Sequence, residues 1–122
     1  MFRSLHPILA TQDVERSLGF YRDGLGARVT YRFPDDGELM YVGLELGASH
    51  LGIGLDTEPL APADGRRVTL WVYADDCDAA VARLRGMGVT VLEEPSDEPW
   101  GEWVARVLDP DGNQVLIGSP PP

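Results

Sequence analysis

Leu5-His6-Pro7-Ile8-Leu9-Ala10 leads to Asp13-Val14-Glu15-Arg16-Ser17-Leu18, then Phe20-Tyr21, then Gly24-Leu25-Gly26-Ala27-Arg28-Val29. Val68-Thr69-Leu70-Trp71-Val72-Tyr73 leads in the same way to Asp76-Cys77-Asp78-Ala79-Ala80-Val81, then Leu84, then Gly86-Met87-Gly88-Val89-Thr90-Val91. Each stretch reads as an apolar strand, an aspartate opening a helix, a Gly-x-Gly stop and a valine-bearing strand. A short side-chain oxygen at Asp13 or Asp76 can accept from the free N–H groups of a first helical turn. Val14, Leu18, Tyr21 and Leu25, and later Cys77, Val81 and Leu84, recur at helical spacing and give each helix one apolar face. The glycines then end each helix where a positive φ is needed.

Working outward, the first unit continues with strands over Arg28–Phe33, Leu39–Leu46 and His50–Leu55, broken at Pro34-Asp35-Asp36-Gly37 and Gly47-Ala48-Ser49. The second continues with Thr90–Leu92, Trp103–Leu108 and Gln114–Gly118, the last two joined through Asp109-Pro110-Asp111-Gly112-Asn113. Residues 57–66, rich in Pro, Ala and Gly, read as a linker. The expectation is a single α+β domain over residues 1–122, built of two βαβββ modules, 1–56 and 67–122. One helix cannot cover both faces of a four-stranded sheet, so each module leaves a face to be filled.

The chain has 122 residues with 20 acids against 10 bases, a formal charge of −10. That balance repels nucleic acid and anionic membrane and attracts cations. No run approaches the roughly 18 apolar residues of a membrane span. No signal peptide is read at the start, so the expected location is cytoplasmic. The single cysteine, Cys77, excludes an internal disulfide and a CxxC site. No Gly-x-Ser-x-Gly elbow, phosphate-cradling loop or basic aromatic patch is present. Asp75, Asp76 and Asp78 are accounted for by helix capping.

The repeated unit, with Asp13-Val14-Glu15-Arg16-Ser17, Phe20-Tyr21 and Leu25-Gly26 in the first half and Asp109-Pro110-Asp111-Gly112-Asn113 at the end, resembles the vicinal oxygen chelate superfamily. That superfamily contains glyoxalase I, extradiol dioxygenases, fosfomycin-resistance transferases and bleomycin-resistance proteins. His6-Pro7-Ile8-Leu9-Ala10-Thr11-Gln12-Asp13-Val14, Leu70-Trp71-Val72-Tyr73 and Pro99-Trp100-Gly101 are most similar to the bleomycin-resistance branch. The resemblance implies cupped mixed sheets of the glyoxalase/bleomycin-resistance kind, a homodimer, and ligand pockets in the cups. Enzymes of the superfamily hold a divalent ion with His and Glu from the first and last strands of both modules. Carried over one by one, those positions fall on His6, Thr69, the neighbourhood of Gly52, and Leu116. His6 alone has a metal-binding side chain, although a site shifted by two residues could draw on His50 and Glu45 or Glu102.

Alternation sends Trp71 and Tyr73, and on the first sheet His50, Gly52 and Gly54, to the uncovered face. Phe33 and Tyr41 can line the same cup, with Trp100 and Trp103 at its rim. Aromatic walls stack planar groups and attract cations, and Asp97, Glu98 and Glu102 favour a positive ligand. An indole on a sheet also serves as a core or interface anchor. The expected function is a metal-free, cofactor-free protein that binds a small molecule, sequestering an aromatic antibiotic of the bleomycin type, with a cation favoured. The alternative is a metal-dependent lyase, isomerase or dioxygenase of the same superfamily.

Overall fold

The computed structural model describes residues 1–59 and 68–122. The chain forms two compact units, Met1–Ala61 and Pro62–Pro122. The first contains strand β1 (Ile8–Thr11), helix α1 (Val14–Leu18), a π-helical turn (Gly19–Gly24), and strands β2 (Arg28–Phe33), β3 (Tyr41–Leu46) and β4 (Ser49–Leu55). The second contains β5 (Leu70–Tyr73), α2 (Cys77–Gly86), β6 (Val91–Asp97), β7 (Trp103–Leu108) and β8 (Gln114–Ser119). Both are βαβββ modules. Their sheets run β1-β4-β3-β2 and β5-β8-β7-β6, each with one parallel pair at the start and antiparallel pairs beyond it. Most of the expected linker lies outside the described residues.

Both helices begin where the sequence places them. Asp13 accepts from the Arg16 N–H at 3.0 Å and Asp76 from the Ala79 N–H at 3.1 Å. Such caps are worth about 1 kcal/mol each. Gly26 and Gly88, at φ +83° and +86°, close the two Gly-x-Gly stops. The first helix departs from regular α geometry after Leu18. Its wider π turn brings neighbouring Phe20 and Tyr21 inward together, ring edge to ring face at 4.8 Å, whereas Leu25 stays half-buried.

The strand ends show what decides pairing. β1 starts at Ile8 rather than Leu5, because Pro7 has no N–H to give; its carbonyl still accepts from Gly52. β5 starts at Leu70 rather than Val68. β6 runs well past the expected Thr90–Leu92, through Glu93, Glu94 and Pro95 to Asp97. A proline is tolerated there because β6 is an edge strand, and its register to β7 slips twice along its length.

One face of each sheet packs on its helix. Val42, Leu44 and Ile53 meet that side of the first sheet, and Val107, Val115 and Ile117 that of the second, all at most 2% exposed. On the opposite face of each sheet, away from the unit's own helix among the described residues, the strands expose Tyr31, Phe33, Trp71 and Tyr73. Among the described residues, no helix is long and apolar enough to cross a membrane.

Candidate functional site

On the first sheet the register fixes which side chains share the uncovered face. Tyr41 pairs with Gly54, Gly43 with Gly52, and Glu45 with His50, while Phe33 and Tyr31 pair with Tyr41 and Gly43 from β2. The Tyr41 ring lies across β4. A Cβ on Gly52 would stand 2.3 Å from the Tyr41 hydroxyl, so only glycine leaves room for the ring there. At Gly54 the nearest atoms would be at 3.7 Å, an ordinary contact. Tyr31 meets Tyr41 edge to face at 6.1 Å, and Phe33 is exposed beside them. His50 is exposed near the end of the same face.

The second sheet carries a similar arrangement made of different residues. Trp71 pairs with Leu116 and Tyr73 with Gly118. A Cβ on Gly118 would come within 2.8 Å of the Trp71 ring, so the indole lies flat over that glycine. Tyr73 flanks it, with ring centroids 5.7 Å apart and planes tilted by 57°. Trp71 is 38% exposed and Tyr73 69%. Large aromatic surfaces in the open, with the indole seated over a glycine, form a shelf on which a planar group can lie. Arg106 rises from the same face, opposite Leu116 on β7. It was absent from the residues singled out in the sequence, although the alternation that selects Trp71 also selects it.

The other two tryptophans are not on this shelf. Trp103 was expected at the rim of the cup, but its pairing with Ser119 puts it on the helix side, where its indole N–H donates to Asp78 at 2.8 Å. Neighbouring Val104 takes the uncovered face instead, since strand side chains alternate. Trp103 lines a separate cleft of about 220 Å³ with Asp75, Asp76, Asp78 and the Ser119–Pro122 segment. Trp100 is 60% exposed in the loop before β7, and its indole donates to Glu102 at 2.7 Å. Glu102 therefore positions this ring as well as adding to the acidity of the loop.

The positions that hold the superfamily's metal do not supply a donor set. His6 and Thr69 are exposed; Gly52 has no side chain, and the Tyr41 hydroxyl fills the space above it. Leu116 is buried and apolar. Of the shifted candidates, Glu45 accepts from Arg28 at 3.0 Å and Glu102 from Trp100. No group of three or more His, Cys, Asp or Glu able to hold an ion occurs among the described residues. The described residues at these positions do not fit the ion.

Cys77 opens α2 but faces inward. It is 1% exposed, and its thiol donates to the Ile117 carbonyl at 3.3 Å. Burial, then the nearby Asp78 charge, raises its pKa above the ordinary 9.0. The folded thiol keeps its proton to higher pH than the unfolded one. Its contribution to stability is therefore intact below about pH 9 and lost as pH rises through the raised value. Labelling by a disulfide reagent at pH 8 should thus be slow in the native protein and fast in urea. Equal rates in the two would contradict this burial.

A sequence model of the family described as Glyoxalase/Bleomycin resistance protein/Dioxygenase superfamily matches residues 3–117. Among solved structures, TioX from Micromonospora sp. ML1 is similar over 98% of this chain and 100% of its own, at 22% identity and a TM-score of 0.80. A protein of unknown function from Agrobacterium tumefaciens str. C58 is similar over 98% and 94%, at 26% identity and a TM-score of 0.80. A glyoxalase/bleomycin resistance protein/dioxygenase superfamily member from Sphaerobacter thermophilus DSM 20745 is similar over 97% and 98%, at 26% identity and a TM-score of 0.72. No curated protein sequence matches the chain. These likenesses support the fold of each unit as a four-stranded mixed sheet with the βαβββ order.

Proposed function

Because the chain belongs to the glyoxalase/bleomycin resistance protein/dioxygenase superfamily, we propose that it is a small-molecule-binding protein that holds an aromatic ligand on the Trp71–Tyr73 shelf without a metal ion or a catalytic step. The observation that carries this reading is the seating of Trp71 on Gly118, which leaves an indole face open in a sheet that has no helix on that side. Sequestration asks for flat apolar contact and polar groups at its edge, and needs neither a nucleophile nor an ion. Stacking on each ring contributes about 0.5–1.5 kcal/mol beyond the area buried. Within the superfamily, the bleomycin-resistance branch is the one this arrangement suits. An antibiotic of the bleomycin type is therefore the ligand to titrate first, its cationic groups served by the acidic loop around Trp100.

Titration with bleomycin should quench tryptophan fluorescence saturably, and Trp71→Ala should weaken binding about fivefold, the loss of roughly 1 kcal/mol of stacking. Trp103→Phe should bind as the parent does, since that ring lies on the other face. Saturable binding that ignores Trp71 and depends on Trp103 would move the site to the acidic cleft. No saturable binding of bleomycin or of simpler planar aromatics would end the sequestration reading.

A further inference from the structure

Arg106 stands on the uncovered face of the second sheet with part of its hydrogen-bonding capacity unused. It pairs with Leu116, which pairs with Trp71 on the next strand, so arginine and indole share one face two strands apart. At ordinary strand spacing their backbones are about 10 Å apart, with the indole seated over Gly118 and the guanidinium turned toward Gln114 and Glu93. The guanidinium is held from two sides. Nε donates to Glu93 Oε2 at 3.2 Å, and Nη1 donates to Gln114 Oε1 at 3.1 Å. A guanidinium has five N–H donors in a planar fork. These two bonds leave both Nη2 hydrogens and one on Nη1 without a partner among the described residues, and the side chain is 38% exposed.

A surface arginine paired with one glutamate adds little to stability. An arginine fixed by both a glutamate and a glutamine is already oriented, so it loses less freedom when it meets another acceptor. The free edge of such a fork matches two parallel acceptor oxygens, the geometry of a carboxylate. The protein's overall negative charge acts against an anion at a distance. Physiological salt screens that effect beyond roughly 8 Å; inside that distance the Glu93 carboxylate offsets part of the guanidinium charge, which keeps the expected preference for an anion small.

We propose that Arg106 is a specificity-determining residue of the shelf, receiving the carboxylate of a planar aromatic acid whose ring stacks on Trp71. This rests on the part of the binding reading above that stacks an aromatic ligand on Trp71, and it puts an aromatic acid in place of a cationic ligand.

Three probes of one shape and different charge test it: naphthoate, naphthalenemethanol and naphthylmethylammonium, titrated calorimetrically into the parent chain, Arg106→Gln, Arg106→Lys and Trp71→Ala. The expected result is naphthoate binding about five- to tenfold tighter than the alcohol, consistent with one charge-assisted contact in partial solvent exposure. That preference should vanish in Arg106→Gln, survive in part in Arg106→Lys, and be retained in Trp71→Ala while all three probes weaken together. Matching thermal unfolding midpoints for the parent and Arg106→Gln would assign the change to the contact rather than to folding. Tightest binding of the ammonium probe, or a naphthoate preference unchanged in Arg106→Gln, overturns the proposal. Trp71-dependent binding with no charge preference defeats Arg106 alone and leaves the aromatic shelf standing. An Arg106-dependent preference that ignores Trp71 supports the contact and defeats the shelf. No binding of any probe overturns both.

Discussion

Ile53→Ala is expected to lower the unfolding free energy by about 2–5 kcal/mol, the range for emptying a fully buried aliphatic site. Ile53 is 0% exposed at the middle of β4, paired with Leu9 on one side and Val42 on the other. It therefore touches the packing of most of the first sheet at once, and the surrounding strands cannot close the gap without moving in register. Urea unfolding should show a lower midpoint with an unchanged slope. Ile53→Val, which removes a single methylene, should lose only about 0.5–1.5 kcal/mol. An alanine variant within half a kcal/mol of the parent would mean that the first sheet does not pack on its helix as described.

The second large effect is on binding. Gly118→Val is expected to weaken any ligand held on the shelf about fivefold, as removal of the ring does, since losing roughly 1 kcal/mol of contact changes an affinity by that factor. A Cβ at Gly118 falls 2.8 Å from Cζ2 of Trp71, closer than real contacts allow, so the indole has to leave its seat. Trp71 is part-exposed and can swing outward, so the fold should survive, with a red-shifted tryptophan emission as the mark of the displaced ring. Gly54→Ala provides the control, because the added methyl meets its neighbours at 3.7 and 3.8 Å and should disturb nothing. Unchanged affinity in Gly118→Val would show that the seating of Trp71 is irrelevant to binding.

Much of the architecture was legible in the sequence because its determinants are local. Asp13 and Asp76 cap where they were expected to, and Gly26 and Gly88 take the positive φ that a helix stop requires. β2 and β7 match their expected ends. What was not legible depends on neighbours. Glu93-Glu94-Pro95 reads as a loop in isolation and becomes strand because β7 pairs with it. The π turn is invisible to a pattern count based on regular helices.

The candidate site was half readable, for a related reason. Period-two alternation placed Trp71, Tyr73, Gly52 and Gly54 on the uncovered faces, and the register agrees. Trp103 was grouped with Trp100 by closeness in sequence, whereas alternation along β7 sends it toward α2. Arg106 needed the same rule carried two residues further. Its fixed orientation, however, comes from Glu93 and Gln114 on two other strands, and no single stretch of sequence announces that meeting.

The irregular edge at β6 has a consequence for how copies of this protein behave when crowded together. An outer strand with a regular ladder of unpaired N–H and C=O groups invites another chain to extend the sheet, and repetition of that event yields insoluble fibres. Pro95 removes one donor from that ladder, and the two slips in register twist the rest out of line. The exposed Glu93 and Glu94 are held in ion pairs with Arg106 and Arg85, which a second copy of the strand would have to disturb. A module that exposes aromatic rings on one sheet face thereby guards this flank against runaway self-association.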